Sequence, residues 1–474
     1  MPAEATDVDG SRGRSYRVLA VVCAGIFLSV LNGSIVNVVL PTIGTELAVE
    51  PALLGWVVTA YSLVYAVAIP FFGRLADIFG ARRFFVVGQA VFAVGSLLCV
   101  LAPSFGLLIV ARVIQSAGGA AIPGLGMALV SRSFPRHQMG TVVGLMSTMV
   151  GLGQAIGPTL GGTVASAFGW HAAFAVGAVA GLLVPASWAW LPRLDAETAK
   201  RDEPLDVPGG LFLAAAISGG LLAVTEAARN GPAAPTVLLA GIVAVGGMVA
   251  LVLRQRRIPF PFIPRELLSS AGYRAISTIT VCASASSFGV IIAVPLLLAR
   301  VNGLSAAEIG LWLVPNAALT AILGVAVGRL ADRVGTRLPV RAGLVLMLVA
   351  LLALSTAAGA PGWLVATLLA GLGAGAAFVN TPLPASIPLI LRPERLASGQ
   401  SMTTMLFFLG GSLGATLATA VLSIRSTATV ALNPLHAAGV GSVGFSDAFL
   451  LLTLPVVLAL AVSGLVPGQA PRRT

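Results

Sequence analysis

The stretch GRLADIFGARR, Gly73 to Arg83, recurs as GRLADRVGTR, Gly328 to Arg337. Each copy sits in a short charged break between two long apolar runs, so each reads as a loop between membrane spans. Apolar runs of about 20 residues, the length that crosses a bilayer, fall near 18–40, 53–72, 84–102, 106–130, 141–165, 172–191, 207–226, 236–253, 274–299, 308–328, 340–358, 363–390, 398–424 and 445–467. Eight of these fourteen runs separate the two copies. Two six-span units with two further spans between them give that offset and that total, an arrangement of transporters built from parallel repeats.

Composition agrees. The 474 residues are 57% hydrophobic and 9% charged, with mean hydropathy +0.98, values that exclude a water-soluble domain of this length. The expected fold class is an all-α polytopic membrane protein. A formal charge of +11 would suit nucleic acid only if the basic residues were clustered or interleaved with aromatics; they are scattered, so no nucleic acid is expected. Cys23, Cys99 and Cys282 lie in apolar runs without CxxC spacing, which favours neither a disulfide framework nor a thiolate metal site.

The arginines test the span count, because basic residues accumulate in cytoplasmic loops. Arg12, Arg14 and Arg17 precede the first span, and alternate loops hold Arg74, Arg82 and Arg83; Arg132 and Arg136; Arg193, Lys200 and Arg201; Arg254, Arg256, Arg257, Arg265 and Arg274; Arg329, Arg333, Arg337 and Arg341; Arg392 and Arg395; then Arg472 and Arg473 at the end. The intervening loops hold only Arg229, Arg300 and Arg425. Both termini are therefore expected in the cytoplasm of a multi-pass cell membrane protein, with the first span an uncleaved signal anchor. The expected division is a cytoplasmic tail (1–17), a six-helix bundle (18–191), a linker with two extra transmembrane helices (192–273), a second six-helix bundle (274–467) and a short tail (468–474).

Five stretches resemble one family and its branches. GRLADIFGARR is similar to the signature between the second and third spans of the major facilitator superfamily, LLIVARVIQSAGGAA (Leu107–Ala121) to its fourth-span motif, and GLGQAIGPTLGG (Gly151–Gly162) to the fifth-span motif of its antiporter branch. LNGSIVNVVLP (Leu31–Pro41) resembles the first-span signature of the fourteen-span drug:proton antiporters, and LSAAEIG (Leu304–Gly310) resembles the fourteen-span tetracycline exporters. The resemblance implies a major facilitator fold of two six-helix bundles plus two central helices. It also implies a secondary active multidrug or antibiotic exporter, powered by an ion gradient without a bound cofactor.

The motifs have physical readings of their own. In the repeat, Gly73, Gly80, Gly328 and Gly335 permit close helix approach and tight turns. Asp77 and Asp332 suit a helix N-terminus, and Arg82, Arg83 and Arg337 hold the loops at one face; the family usually has a basic residue after this aspartate where the chain has Ile78, so the resemblance leaves Arg82 or Arg83 as the expected partner of Asp77. Two copies at matching positions favour a conformational latch over a merely topogenic basic loop. In the fifth span, Gly153, Gly157 and Gly161 recur every four residues beside Gly162, giving a groove without side chains, and Pro158 removes a backbone hydrogen bond. A pivot is expected there, with ordinary small-residue packing as the alternative.

Arg112 is the one basic residue placed inside a span, which marks it as functional unless it snorkels to the outer interface. The resemblance assigns the matching arginine to proton transfer. Asn32 and Asn37 are five residues apart, about 140° around a helix; Asn32 is expected to line the path and Asn37 to hold helices together. Tyr61, Tyr65, Gln115, Gln154, Asn316 and Asn380 are further cavity candidates, each equally readable as a helix–helix contact. No acid is expected in the middle of a span: Glu226 ends the seventh, and Asp77 and Asp332 are placed in loops. Many of the drug:proton antiporters carry an acid in the first-span signature where this chain has Asn32 and Gly33, and the tetracycline exporters a glutamate in the fifth-span motif where it has Gln154.

The expected function is export of amphipathic, antibiotic-like molecules by alternating access, with neutral, zwitterionic or anionic substrates favoured over dications. An importer, a uniporter or an exporter with different ion coupling is the alternative, given the missing acids. No GxxxxGK[ST] is present, so ATP is not expected as the energy source. An enzyme is disfavoured because His137, His171 and His436 are read as loop residues far apart in sequence. A monomer in contact with membrane lipid is expected, with no metal.

Overall fold

The computed structural model describes residues 3–192, 203–231, 233–436 and 439–468; Arg193, Lys200, Arg201, Arg472 and Arg473 fall outside them. Among the described residues, thirteen helices are long and apolar enough to cross a membrane. One of them, Arg136–Trp190, has 55 residues, about 80 Å of helix against a hydrocarbon core of about 30 Å. It breaks at Gly169, whose φ of 79° is left-handed, so it makes two crossings and brings the total to fourteen.

In chain order the spans are α1 (Ala3–Glu46), α2 (Trp56–Phe79), α3 (Ala81–Val100), α4 (Phe105–Ser133), α5 (139–168), α6 (170–190), α7 (Val207–Asn230), α8 (Pro235–Arg257), α9 (Ala271–Arg300), α10 (Ala306–Val334), α11 (Arg337–Thr356), α12 (Gly362–Asn380), α13 (Leu396–Ile424) and α14 (Val443–Leu465). The two motif copies build the same turn. Gly80 closes α2 with φ 101° and donates to the Ala76 carbonyl, and Gly335 closes α10 with φ 84° and donates to the Ala331 carbonyl. A left-handed residue after the last helical turn is where glycine is needed, so the eighth residue of both copies is glycine for one reason. LSAAEIG starts α10 with a capping box: the Ser305 N–H donates to Glu308 Oε2 at 2.9 Å while Ser305 Oγ accepts from the Glu308 N–H.

Within the first half α1 packs chiefly on α5 and α3 on α4; within the second, α9 packs on α13 and α12 on both α10 and α11. The halves meet along two seams, α5 against α10 and α2 against α13. The expected glycine groove of α5 receives α1: a Cβ on Gly153 would lie 3.1 Å from Val30, on Gly157 2.5 Å from Ser34, and on Gly161 3.1 Å from Ile35. Gly162 meets only Val38, at 3.9 Å. Pro158 has no N–H for the Gln154 carbonyl four residues back, and Ser34 Oγ of α1 donates to that oxygen at 3.3 Å. The backbone stays helical through Pro158; the break is at Gly169.

The other face of α5 forms the seam with α10. A Cβ on Gly140 would sit 2.2 Å from the Gly328 carbonyl oxygen, one on Gly144 2.3 Å from that of Gly324, and one on Gly151 2.8 Å from Ala321 Cβ. The two extra helices form a hairpin of the same type, Gly219 against the Ala240 carbonyl and Gly247 against that of Phe212. Asp206 caps α7, accepting from the Gly209 N–H at 3.0 Å, the Phe262 N–H at 3.1 Å and Arg254 Nε at 2.6 Å. α7 rests on both α2 and α13, so the hairpin stands over the seam between the halves, while α8 turns Leu238, Leu239, Ile242 and Val245 outward, as a lipid-facing helix does.

Candidate functional site

The repeat brings the halves together reciprocally. Asp77, in the last turn of α2, accepts the Ser398 N–H at 3.3 Å in the first turn of α13. Asp332, at the matching place in α10, accepts the Gly140 N–H at 2.6 Å, the Thr141 N–H at 2.8 Å and the Thr141 hydroxyl at 2.6 Å in the first turn of α5. Each motif aspartate thus caps the fifth helix of the opposite half, where exposed N–H groups and the helix dipole favour a carboxylate. Both aspartates lie inside helices rather than in loops. Asp77 does not pair with Arg82 or Arg83: Arg82 packs on the Trp188 ring at 4.6 Å and donates to the Trp188 carbonyl, and Arg83 is exposed. Arg74, the second residue of the motif, is buried and bonds Glu203 at 3.1 Å, whereas its counterpart Arg329 is exposed. Arg337 is half-buried at the start of α11.

A second cluster lies inside the first half. Arg112, only 2% exposed, donates to the Val57 carbonyl at 3.2 Å and to Gln115 Oε1 at 2.5 Å, and its guanidinium lies 4.1 Å from the centre of the Tyr61 ring. Gln115 donates in turn to Asn32 Oδ1 at 3.0 Å and Ser96 Oγ at 2.7 Å. Among the described residues no carboxylate approaches Arg112 within 4.0 Å. The cation is held by a carbonyl, an amide and an aromatic face, each of which tolerates it without neutralising it. It is too buried to be snorkelling.

This placement reverses the two asparagines. Asn32 is fully buried, its oxygen bonded to Gln115, so it ties α1 to α4 and does not line an open path; Asn37 is exposed and makes no such bond. The physical reason is that α1 turns Leu31, Ile35 and Val39 into its bundle, with Asn32 on that side and Asn37 on the other. Asn316 is wedged against α12, its Oδ1 2.3 Å from where a Gly373 Cβ would be, which is the packing alternative. Gln154 is exposed one turn beyond the Gly151–Ala321 contact, and Asn380 is half-buried at the end of α12. His171 begins α6, stacked on Trp170 at 3.6 Å, rather than lying in a loop.

Tyr61 joins Arg112 to a row of rings. Tyr61 stacks on Tyr65 with centroids 5.6 Å apart, Tyr65 meets Phe408 of α13 at 5.0 Å, and Phe408, Phe407 and Phe288 follow at 5.5 and 5.6 Å. The row crosses from one half to the other, and Phe408 keeps 37% of its surface exposed. Among the described residues, the hydrogen bonds between the halves lie on the motif-bearing side of two levels, Tyr65–Phe408 and Thr148–Ala321. The halves are sealed on the motif face, and the rings form the inner limit of that seal.

Sequence reading missed Glu203, Phe288, Phe407, Phe408 and Asp447. Asp447 is fully buried in the first turns of α14, away from the middle of the span, bonding Arg425 at 2.6 Å and accepting the Leu432 N–H at 2.6 Å. Scarcity was the available signal, since the chain has only 17 acids in 474 residues.

Comparison with known proteins gives a consistent result. The family model described as Major Facilitator Superfamily matches residues 22–415 and 276–471. The chain is 31% identical over 409 residues to the multidrug resistance protein Stp of Mycobacterium tuberculosis, covering 86% of this chain and 75% of that one. It is 30% identical to the methylenomycin A resistance protein of Streptomyces coelicolor, covering 79% of each. It is 28% identical to the riboflavin transporter RibZ of Clostridioides difficile, covering 85% and 87%. The crystal structure of the human organic anion transporter MFSD10 (TETRAN) has the same fold, with TM-score 0.67 over 93% of this chain and 99% of that one at 17% identity.

Proposed function

The chain belongs to the Major Facilitator Superfamily, and from that premise we propose that it exports amphipathic small molecules, antibiotic-like compounds above all, by alternating access driven by the proton gradient. It is a transporter rather than an enzyme. The carrying observation is the reciprocal pair of caps: Asp77 on α13 and Asp332 on α5 close one face of the molecule with contacts that a rigid-body rotation of one half would break together. The moving units are 18–191 and 274–467. The alternation of arginine-rich loops along the sequence supports a cytoplasmic location for the motif face and both termini in a plasma-membrane protein, and with that orientation a conformation closed on the motif face is outward-facing.

The relatives whose names denote drug and antibiotic resistance support export. The uncompensated Arg112 behind Tyr61 favours neutral, zwitterionic or anionic substrates over dications, and the exposed ring of Phe408 offers an apolar face beside it. Proton coupling through a peripheral acid, Asp77, Asp332 or Glu226, fits a chain whose first-span signature carries an amide. A second reading, a carrier for one amphipathic aromatic compound with different coupling or direction, is favoured by the likeness to a riboflavin transporter.

Everted vesicles decide between them. Substrate addition should discharge a pre-formed pH gradient, and Arg112→Ala should lower that signal at least tenfold. Transport that leaves the gradient intact overturns proton antiport, and normal transport by Arg112→Ala removes Arg112 from the site. Quaternary ammonium dications as the best substrates would overturn the charge preference.

A further inference from the structure

Between α6 and α7 the chain leaves the first half and has not yet entered the second, and there it inserts one carboxylate into the seam. Glu203, 8% exposed, receives Arg395 through two parallel bonds, Nη1 to Oε2 and Nη2 to Oε1, both 2.9 Å, and Arg74 Nη2 bonds Oε2 at 3.1 Å. Arg74 belongs to the first motif copy on α2, and Arg395 immediately precedes α13. One carboxylate is therefore shared between the halves, one turn from the Asp77–Ser398 contact. Two guanidiniums drawn to the same buried oxygen repel each other unless an anion lies between them.

The arrangement breaks the symmetry of the repeat. At the α5–α10 seam the counterpart arginine, Arg329, is exposed and makes no ion pair among the described residues. The α2–α13 seam has an extra charged tie, and the linker supplies it. Three residues later Asp206 is fixed to Arg254, the Gly209 N–H and the Phe262 N–H. That anchor restricts how far Glu203 can travel, so it cannot follow both arginines when α2 and α13 part.

We propose that Glu203 is a positioning residue of the transport cycle: its simultaneous grip on Arg74 and Arg395 holds the motif face closed, and losing one of the two arginines is the step by which that face opens. The two extra helices then have a role in the cycle, because they anchor the segment that carries the carboxylate. This rests on the alternating-access reading above.

The test reads the gate itself and needs no substrate. Spin labels on His137→Cys and Arg392→Cys, both exposed on the sealed face in opposite halves, report the separation of the halves by pulsed EPR on the full chain in lipid nanodiscs. Wild type should show mainly the short distance. Glu203→Gln, nearly isosteric, should raise the ratio of long to short populations at least tenfold, whereas Glu203→Asp, which keeps the charge, should raise it less than threefold. If Glu203→Gln does not yield monodisperse protein, Arg395→Lys, which keeps the charge and loses the paired bonds, should shift the ratio the same way. A distribution unchanged in Glu203→Gln, or in Arg395→Lys, overturns the proposal and leaves Glu203 as a structural tie, which would lower thermal stability without moving the distance. Failure of the transport reading would show separately, as wild-type protein that moves no substrate while its gate still responds to Glu203→Gln.

Discussion

At the scale of single residues, Asn32 and Asn37 show what a membrane sequence conceals. Their spacing of five places them on different faces of α1, and this much was legible. Which of them faces inward was not, because in lipid an apolar residue is at home on either side of a helix and hydropathy no longer marks the core. The deciding contact, Gln115 Nε2 to Asn32 Oδ1 at 3.0 Å, joins residues 83 apart in sequence. Asn32→Ala removes one acceptor from Gln115 and leaves it Ser96, so it should cost about 1 kcal/mol, the usual worth of such a bond. Asn37→Ala, on an exposed side chain, should stay within about 0.5 kcal/mol. Reversible denaturant unfolding in detergent measures both, and equal costs would contradict the buried network.

Elements were more legible than their partners. The glycines at Gly153, Gly157 and Gly161 announced a groove on α5, and α1 occupies it; Gly140, Gly144 and Gly151 on the neighbouring face met α10 unannounced, because spacing shows that a helix approaches but not which one. Gly328→Ala tests this seam. Its Cβ would lie 2.0 Å from the Gly140 carbonyl oxygen, a contact that forces α5 and α10 apart. Cysteines at Ser147 and Thr381, whose hydroxyl oxygens are 3.4 Å apart across the halves, should cross-link readily in the parent, and Gly328→Ala should lower the yield at least threefold. An undiminished yield would mean that the seam absorbs the methyl group. Gly169 is the opposite case: a Cβ there meets nothing within 4 Å, yet its φ is 79°. Gly169→Ala should cost about 1 to 3 kcal/mol through the backbone alone, and a thermal midpoint matching wild type would show that the α5–α6 corner relaxes.

For the whole molecule, the repeated motif carried the architecture because it recurs in sequence. The linker carboxylate stayed invisible because Glu203 occurs once, outside any repeat, with partners 129 and 192 residues away. The same contrast separates the two halves of the gate. Asp77 and Asp332 are equivalent by position, yet Asp332 accepts three bonds of 2.6 to 2.8 Å and Asp77 takes one N–H at 3.3 Å. The α5–α10 seam is therefore the one that depends on its aspartate, while the α2–α13 seam leans on Glu203 as well. Asp332→Asn keeps the size, removes the charge that favours a helix N-terminus, and replaces one acceptor oxygen with a donor that cannot serve the Gly140 and Thr141 N–H groups. It should open the face more than Asp77→Asn does. Ser401→Cys, buried between Gly73 and Gly124, supplies the readout in everted vesicles as the rate of maleimide labelling from the cytoplasmic side. Asp332→Asn should raise that rate at least fivefold, Asp77→Asn by less, and the pair together by more than either. A larger effect from Asp77→Asn would mean that bond number and length at the two caps do not set the balance of the gate.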